Sequence, residues 1–328
     1  MLSTHKVEVV EVKLEKHPNA DALSVVSVFG GFPCCVRTAD WKDGDLAAYV
    51  PPDSVVDVSR PEFAFLAKGE KQKHRVRAVK LRGVQSFGLL VPAPAGAKVG
   101  DDVSAAYGVE HYEPEMRGLC TGGEAEQAPG LLSLLAKYDV DSLRRYSRIF
   151  EAGEDVHITE KIHGANARYS FAEGRMWCGS RAEWKRQEQG NIWWRALEVH
   201  PEIEAFCRSH PCHVLYGEVY GKVQGLRYGV PNDVRFMAFD VLGDDGKFWD
   251  AGEFREVAEA MSIPMVPLLD VGPFNFQRAC LLAEGPSTVP GADHVREGCV
   301  VRPLRERWHQ AVGRVCLKVV GAGYLEKS

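Results

Sequence analysis

The sequence predicts an α+β protein: a small N-terminal β-barrel followed by a larger domain built on antiparallel sheet. Three observations carry that expectation. Short, largely alternating apolar runs separated by turn residues fill roughly the first third of the chain. A stretch rich in Gly and Glu then interrupts the pattern. Beyond it, helical periods and β-branched runs alternate irregularly, without the regular βαβ order of a parallel sheet.

The elements follow in order. Val7-Glu8-Val9-Val10-Glu11-Val12 reads as a half-buried strand. His17-Pro18-Asn19-Ala20-Asp21 is a turn, Leu23–Val28 a second strand, and Gly30-Gly31 its end. Cys34–Val36 and Leu46–Val50 are further strands, the last closed by Pro51-Pro52, and Arg75–Leu81 is another alternating strand. Gly118, Gly122, Gly123, Glu124, Ala125, Glu126 and Pro129 read as a flexible linker. The expected organisation is a barrel over 1–115, a linker over 116–135 and the larger domain over 136–328. In that domain Val156–Glu160, Val214–Tyr220, Val234–Val241, Cys299–Val301 and Val315–Val320 are expected strands. Asn191–Val199, Pro201–Ser209 and Gly252–Met261 are expected helices.

Composition excludes several classes. The 328 residues are 45% hydrophobic and 26% charged, the balance of an ordinary globular chain with material for two cores. No apolar run reaches the roughly 18 residues of a membrane span. Met1–Lys6 has no apolar signal core, and the nine cysteines form no CxxC pair, so a cytoplasmic protein with reduced thiols and no zinc finger is expected. The net charge of −5 argues against binding nucleic acid by bulk charge, though not against a local basic groove.

The chemistry concentrates in the second domain. Glu160-Lys161-Ile162-His163-Gly164-Ala165-Asn166 places a lysine at a strand end beside a glycine turn. Lysine is a poor nucleophile at its ordinary pKa of about 10.4, and desolvation or neighbouring cations lower that value. His163 and Asn166 offer polar groups for phosphate or ribose oxygens. Taken alone, Lys161 reads more readily as an exposed strand-end charge. Further charges then recur on apolar strands: Glu218 in Gly217–Gly221, Glu297 before Cys299-Val300-Val301, and Lys318 in Leu317–Val320. Glu and Lys are seldom buried without partners, so several of them on one domain's strands imply a shared polar cleft.

Here the pattern becomes specific. Glu160–Gly164 resembles motif I (KxHG) of the covalent nucleotidyltransferases, in the form of RNA ligase 2-like enzymes. Gly217-Glu218 is similar to motif III, Phe236–Val241 to motif IIIa, Glu297–Val300 to motif IV and Leu317-Lys318 to motif V, all in order. With a β-rich module in front, the chain resembles the Deinococcus/Naegleria-type RNA ligases (RNA ligase 5 family). In these an OB domain precedes the nucleotidyltransferase domain. His17–Asp21 is also similar to tRNA-binding OB modules of some aminoacyl-tRNA synthetases. DNA ligases and capping enzymes usually carry their OB domain after the catalytic one, and the short stretch after Lys318 leaves no room for it.

The resemblance implies an ATP-dependent RNA ligase joining 3′-OH and 5′-phosphate ends at nicks in duplex RNA or RNA–DNA hybrid. It implies Lys161 as the adenylated nucleophile, Glu160, Ile162 and His163 beside the nucleotide, and Asn166 and Arg181 at ribose or phosphate. Glu218 is implied at ribose or a metal-bound water, Glu297 at metal-bound water, Lys318 at the α-phosphate, and Mg²⁺ or Mn²⁺ as the metal. Phe239 stacks on adenine or is a core aromatic. Arg144 or Arg145 meets the terminal phosphates or is a solvated charge. The family commonly has two lysines one residue apart in motif V; here Cys316 and Val320 flank Lys318 at that spacing, so one cation is missing or supplied from elsewhere.

Lys68, Lys71, Lys73, His74, Arg75, Arg77, Lys80 and Arg82 form a basic stripe that tracks a nucleic-acid backbone or protects an edge strand. Trp184, Trp193 and Trp194 with Lys185, Arg186 and Arg195 contact a nucleic-acid end or are core tryptophans. No membrane or protein partner is implied. The competing functions are another lysyl-nucleotidyltransferase, such as a DNA ligase or a GTP-using capping enzyme, and a non-catalytic RNA- or tRNA-binding module.

Overall fold

The computed structural model describes residues 5–69, 71–112 and 123–327. They form two compact units. One comprises 5–112 with 142–148 and 322–327, the other 123–141 with 149–321. Among the described residues no helix is long and apolar enough to cross a membrane.

In the N-terminal unit, Glu8–Glu11 and Leu89–Pro92 flank Leu46–Val50 in an antiparallel sheet. Leu23–Val28 pairs with Phe32–Arg37, Ser54–Asp57 with Lys73–Arg75, and Val79–Leu81 with Val84–Ser86. The first strand is buried on both faces, not one. Val7 and Val9 pack with Ala48, Val50 and Phe63, while Val10 and Val12 pack with Ala47, Tyr49 and Val26. The paired Val9-Val10 in the sequence, which breaks strict alternation, is the trace of that second core. The single strand expected over Arg75–Leu81 is two strands in different sheets, because Val76 and Ala78 turn into the interior between them. The His17–Asp21 turn acts as a structural tie. His17 Nε2 donates to the Leu81 carbonyl (3.2 Å) and Asn19 Nδ2 to that of Arg82 (2.9 Å), which pins the tip of the Val79–Ser86 hairpin.

Residues 142–148 belong to this unit. Arg144 Nη1 donates to the Gly31 carbonyl at 3.3 Å, with its guanidinium 4.4 Å from the Phe87 ring centre. Arg145 pairs with Glu8 and lies over Phe29. A Cβ on Gly31 would stand 2.1 Å from the Arg144 carbonyl oxygen, so only glycine admits this approach.

The second unit holds two antiparallel sheets. The larger runs Ala125–Glu126, Trp184–Lys185, Arg175–Ser180, Ala165–Ala172, Val214–Gly221, Val234–Leu242. Its central hairpin turns at Glu173-Gly174, both at positive φ (50° and 77°), the geometry of a type I′ turn. The other contains Leu317–Val320, Gly298–Pro303, Asp155–Lys161 and Leu268–Pro273. Helices Ile192–Val199, Pro201–Ser209 and Ala251–Ala260 cover one face of the larger sheet over Tyr169, Leu215 and Phe236. Asn191 caps the first of them, accepting from the Trp193 and Trp194 amides.

The expected linker needs correction. Residues 116–122 lie outside the described residues, but 123–135 are part of this unit. Ala125–Glu126 pairs with Trp184–Lys185, and Ala128 and Leu132 are buried against Trp177 and Trp184. Leu132 supplies apolar area that the Gly- and Glu-rich composition around it disguised.

Candidate active site

The register of the smaller sheet builds the site. Lys161 ends its strand opposite Gly298, so Glu297, one residue before that strand, meets it. Glu297 Oε1 is 2.7 Å from Lys161 Nζ and Oε2 is 3.2 Å from His163 Nδ1. Lys318 lies opposite Val300, and Val300 opposite Thr159. Side chains alternate between faces, so Lys318 and Lys161 share a face, one pleat apart. Lys318 has no hydrogen-bond or ion-pair partner among the described residues.

The larger sheet supplies the opposing groups. After the Gly164 turn, Asn166 stands across from Glu218. The Asn166 carbonyl accepts from Trp193 Nε1 (3.0 Å), while its Oδ1 is buried without a partner. Gly217 is required by Phe236, whose ring would lie 2.2 Å from a Cβ there. Phe236 thus belongs to the helix-covered core, edge-on to Tyr169 at 5.3 Å. Phe239 faces the other way. It is half-buried, 5.1 Å from Tyr138, and borders the cluster of Ile162, Met237 and Tyr228.

The electrostatics correct one expectation. Burial opposes charge on Lys161, but Glu297 and Glu218 outweigh it and raise its pKa, so the ammonium form is held. The mutual repulsion of the two lysines falls on Lys318: burial, then Lys161, lower its pKa. Burial alone would raise Glu297, yet Lys161 and His163 pull it down to about 2. Burial pushes Glu218 up to about 8, against the pull of Lys161 and with Glu297 adding to the rise.

These directions have opposite consequences for stability. Glu297 is bound to its partners as a carboxylate, so its contribution is present above the ordinary value of 4.5 and lost as pH falls toward 2. Glu218 holds its proton more tightly folded than unfolded, so its contribution is full below 4.5 and fades as pH rises toward 8. Glu218→Gln is therefore expected to raise the Tm, relative to the parent, more at about pH 9 than at about pH 5. Calorimetry at both pH values checks this; a pH-independent difference contradicts it.

Other expected residues lie elsewhere or do other work. Glu160 is 1% exposed, and its carboxylate accepts from Ser287 Oγ (2.6 Å) and from the Thr288 amide and hydroxyl (2.7 Å each). Its side chain therefore anchors the 287–289 loop. Arg181 is half-exposed, 3.0 Å from Asp139, and also draws down the Glu218 pKa. Arg144 belongs to the N-terminal unit, where Gly31 and Phe87 occupy it. Trp184, Trp193 and Trp194 are core residues, each indole N–H spent on a carbonyl. In the basic stripe, Lys73 pairs with Glu110 and Arg75 with Asp53, whereas Lys68, Lys71, Arg77, Lys80 and Arg82 are exposed.

Sequence reasoning missed Ser287 and Thr288, for which no motif signals, and it gave Asp240 no role. Asp240 carried the signal applied to Glu218, a charge inside an apolar strand. It is fully buried between Arg302 (2.7 Å) and Arg314 (2.5 Å) and accepts from Tyr138 (2.7 Å). Those arginines are thus committed and do not replace the absent motif V lysine, and the Cys316 side chain is buried beside Arg314. Among the described residues, no three His, Cys, Asp or Glu side chains are arranged to hold a metal directly.

The family model described as RNA ligase matches residues 154–320, just over half of the 328 residues, and an OB-fold domain model matches residues 4–93. No curated protein matches the chain. Among solved structures, Naegleria gruberi RNA ligase with PPi is 23% identical with a TM-score of 0.81, the match covering 99% of each chain. A mutant of the same ligase with ATP and Mn is 22% identical with a TM-score of 0.82, over 98% of each chain. Another mutant, with AMP and Mn, gives 22% and 0.82 over 99% of each.

Proposed function

The chain belongs to the RNA ligase family, and from that premise we propose that it seals 3′-OH and 5′-phosphate RNA ends with ATP through an adenylate on Lys161. The observation that supports this most is the meeting of Lys161, Glu297, Glu218 and the unpartnered Lys318 from two sheets. In the first step the deprotonated Lys161 Nζ bonds to the α-phosphorus of ATP, and the bond to pyrophosphate breaks. The RNA 5′-phosphate then displaces the lysine, and a 3′-hydroxyl finally displaces AMP. Each step moves a phosphoryl centre, so positioning and charge neutralisation carry the rate.

Within that reading, Lys318 sits near the α-phosphate as a cation that has no ion-pair partner among the described residues. Glu297 holds the resting ammonium of Lys161, Asn166 and Arg181 meet ribose or phosphate, and Phe239 with Ile162 lines the adenine. Glu218 and Glu297 would hold a divalent metal through its water shell, the mode open to Mg²⁺ or Mn²⁺ where, among the described residues, no three such side chains converge on one point. That metal supplies neutralising charge to the ATP phosphates when bound.

The substrate in this reading is a nick in duplex RNA or RNA–DNA hybrid, with the exposed Lys68, Lys71, Arg77, Lys80 and Arg82 tracking the backbone. The location is cytoplasmic. The test supplies wild-type protein, ATP and Mg²⁺ or Mn²⁺ with nicked RNA duplex, nicked RNA–DNA hybrid, nicked DNA and single-stranded RNA. Sealing of the first two ahead of the others supports the assignment. Preference for nicked DNA would contradict it, and absence of sealing on all four would favour the binding-module alternative.

A further inference from the structure

The turn that follows Lys161 is gripped by a loop that no motif includes. The Tyr228 hydroxyl accepts a hydrogen bond from the His163 amide at 2.8 Å. Four residues earlier in the same loop, Gln224 Nε2 donates to the Gly164 carbonyl. Two consecutive residues of the turn are thus held by one loop. Gly164 is pressed on its other side against the Glu218 strand, where a Cβ would stand 2.2 Å from the Val219 carbonyl oxygen. On the near side of Lys161, the Glu160 carboxylate is fixed by Ser287 and Thr288.

Tyr228 reaches this contact at a cost. Its φ is +51°, a region that large side chains rarely adopt and that persists only where surroundings over-determine it. The surroundings do so. The ring is 1% exposed and edge-on to Tyr220 (5.4 Å) and His294 (4.5 Å). Next to it, Gly229 packs on Gly291 so closely that a Cβ would stand 2.9 Å from the Gly291 carbonyl oxygen. The strained residue aims its hydroxyl at the backbone two residues beyond Lys161, and His163 is itself the second partner of Glu297.

We infer that Tyr228, with Gln224, is a positioning residue for the adenylation step: it fixes the Lys161–Gly164 turn so that the lysine meets ATP aligned. This rests on the proposed lysyl-adenylate chemistry. Losing the acceptor on the His163 amide leaves that N–H without it and lets the turn relax. Nucleophile alignment is used when Lys161 attacks, but not when a preformed RNA adenylate is sealed.

The test is Tyr228→Phe, which keeps the ring, with Gln224→Met as a second variant that keeps length but removes the donor. Single-turnover adenylation with Mg²⁺ and labelled ATP is compared with sealing of 5′-adenylated RNA. The rate constant for adenylation is expected to fall about tenfold, with half-saturation by ATP within about twofold of wild type. Sealing of adenylated RNA should stay within about twofold of wild type. Unchanged adenylation in both variants, or equal loss in both reactions, would overturn the inference. Failure of the wild-type protein to adenylate would instead overturn the reading beneath it.

Discussion

Replacing Lys161 with alanine is expected to abolish RNA sealing from ATP, a loss of roughly a thousandfold or more, while 5′-adenylated RNA is still joined. The lysine has two physical jobs, and the variants separate them. As an ammonium it neutralises Glu297, whose pKa of about 2 depends on it after burial is overcome. As an amine it is the nucleophile. Lys161→Ala removes both, leaving His163 to face the Glu297 carboxylate. Lys161→Arg keeps a cation beside Glu297 but has no nucleophilic nitrogen at neutral pH. It is therefore expected to match the parent's thermal stability more closely than the alanine variant and to be equally unable to use ATP. Sealing of plain 5′-phosphate RNA with ATP by either variant would contradict the assignment.

The second large effect lies outside the cleft. Asp240→Ala should cost about 3–5 kcal/mol, because it takes from two buried arginines the carboxylate they share and leaves Glu306 as their remaining acidic partner. Arg302 and Arg314 side chains keep only 3% and 10% of their exposure, and both converge on this one carboxylate. Burial by itself would raise the Asp240 pKa, but the two guanidiniums hold it below the ordinary range. Its stabilisation is therefore present above the unfolded-state value and lost as pH falls through the lowered one. Chemical denaturation of Asp240→Ala at neutral pH checks the magnitude. An unchanged midpoint would mean that Glu306 alone satisfies both arginines.

Much of the candidate site was legible because charges in apolar strands are visible without a structure. Glu218, Glu297 and Lys318 each stand out from valine- or leucine-rich neighbours, and the order of motifs binds them to Lys161. Their meeting depends on register, and register follows from the strands themselves: pairing Lys161 with Gly298 brings Glu297 to the ammonium. Three of the helices, Ile192–Val199, Pro201–Ser209 and Ala251–Ala260, were legible from periodicity.

What was hidden depends on partners distant in sequence. Arg144 looked available for phosphates because nothing nearby shows that Gly31 and Phe87 receive it. Residues 123–135 looked like linker because their pairing strand, Trp184–Lys185, is too short to announce itself. The strand Leu268–Pro273 and helix Phe276–Leu282 passed unnoticed for a related reason. Val271 and Leu281 are exposed, so apolar pattern and burial part company there. The pKa of Lys161 was expected to fall, but two carboxylates, brought by two different sheets, outweigh burial.

The most direct test of the account is covalent labelling. Wild-type protein is incubated with α-labelled ATP and Mg²⁺ or Mn²⁺, denatured, and digested, and the labelled peptide is identified by mass spectrometry. The account predicts one AMP attached through a phosphoramide bond to Lys161, labile in acid and absent from Lys161→Ala and Lys161→Arg. Label on another residue, or no label with either metal, would contradict it.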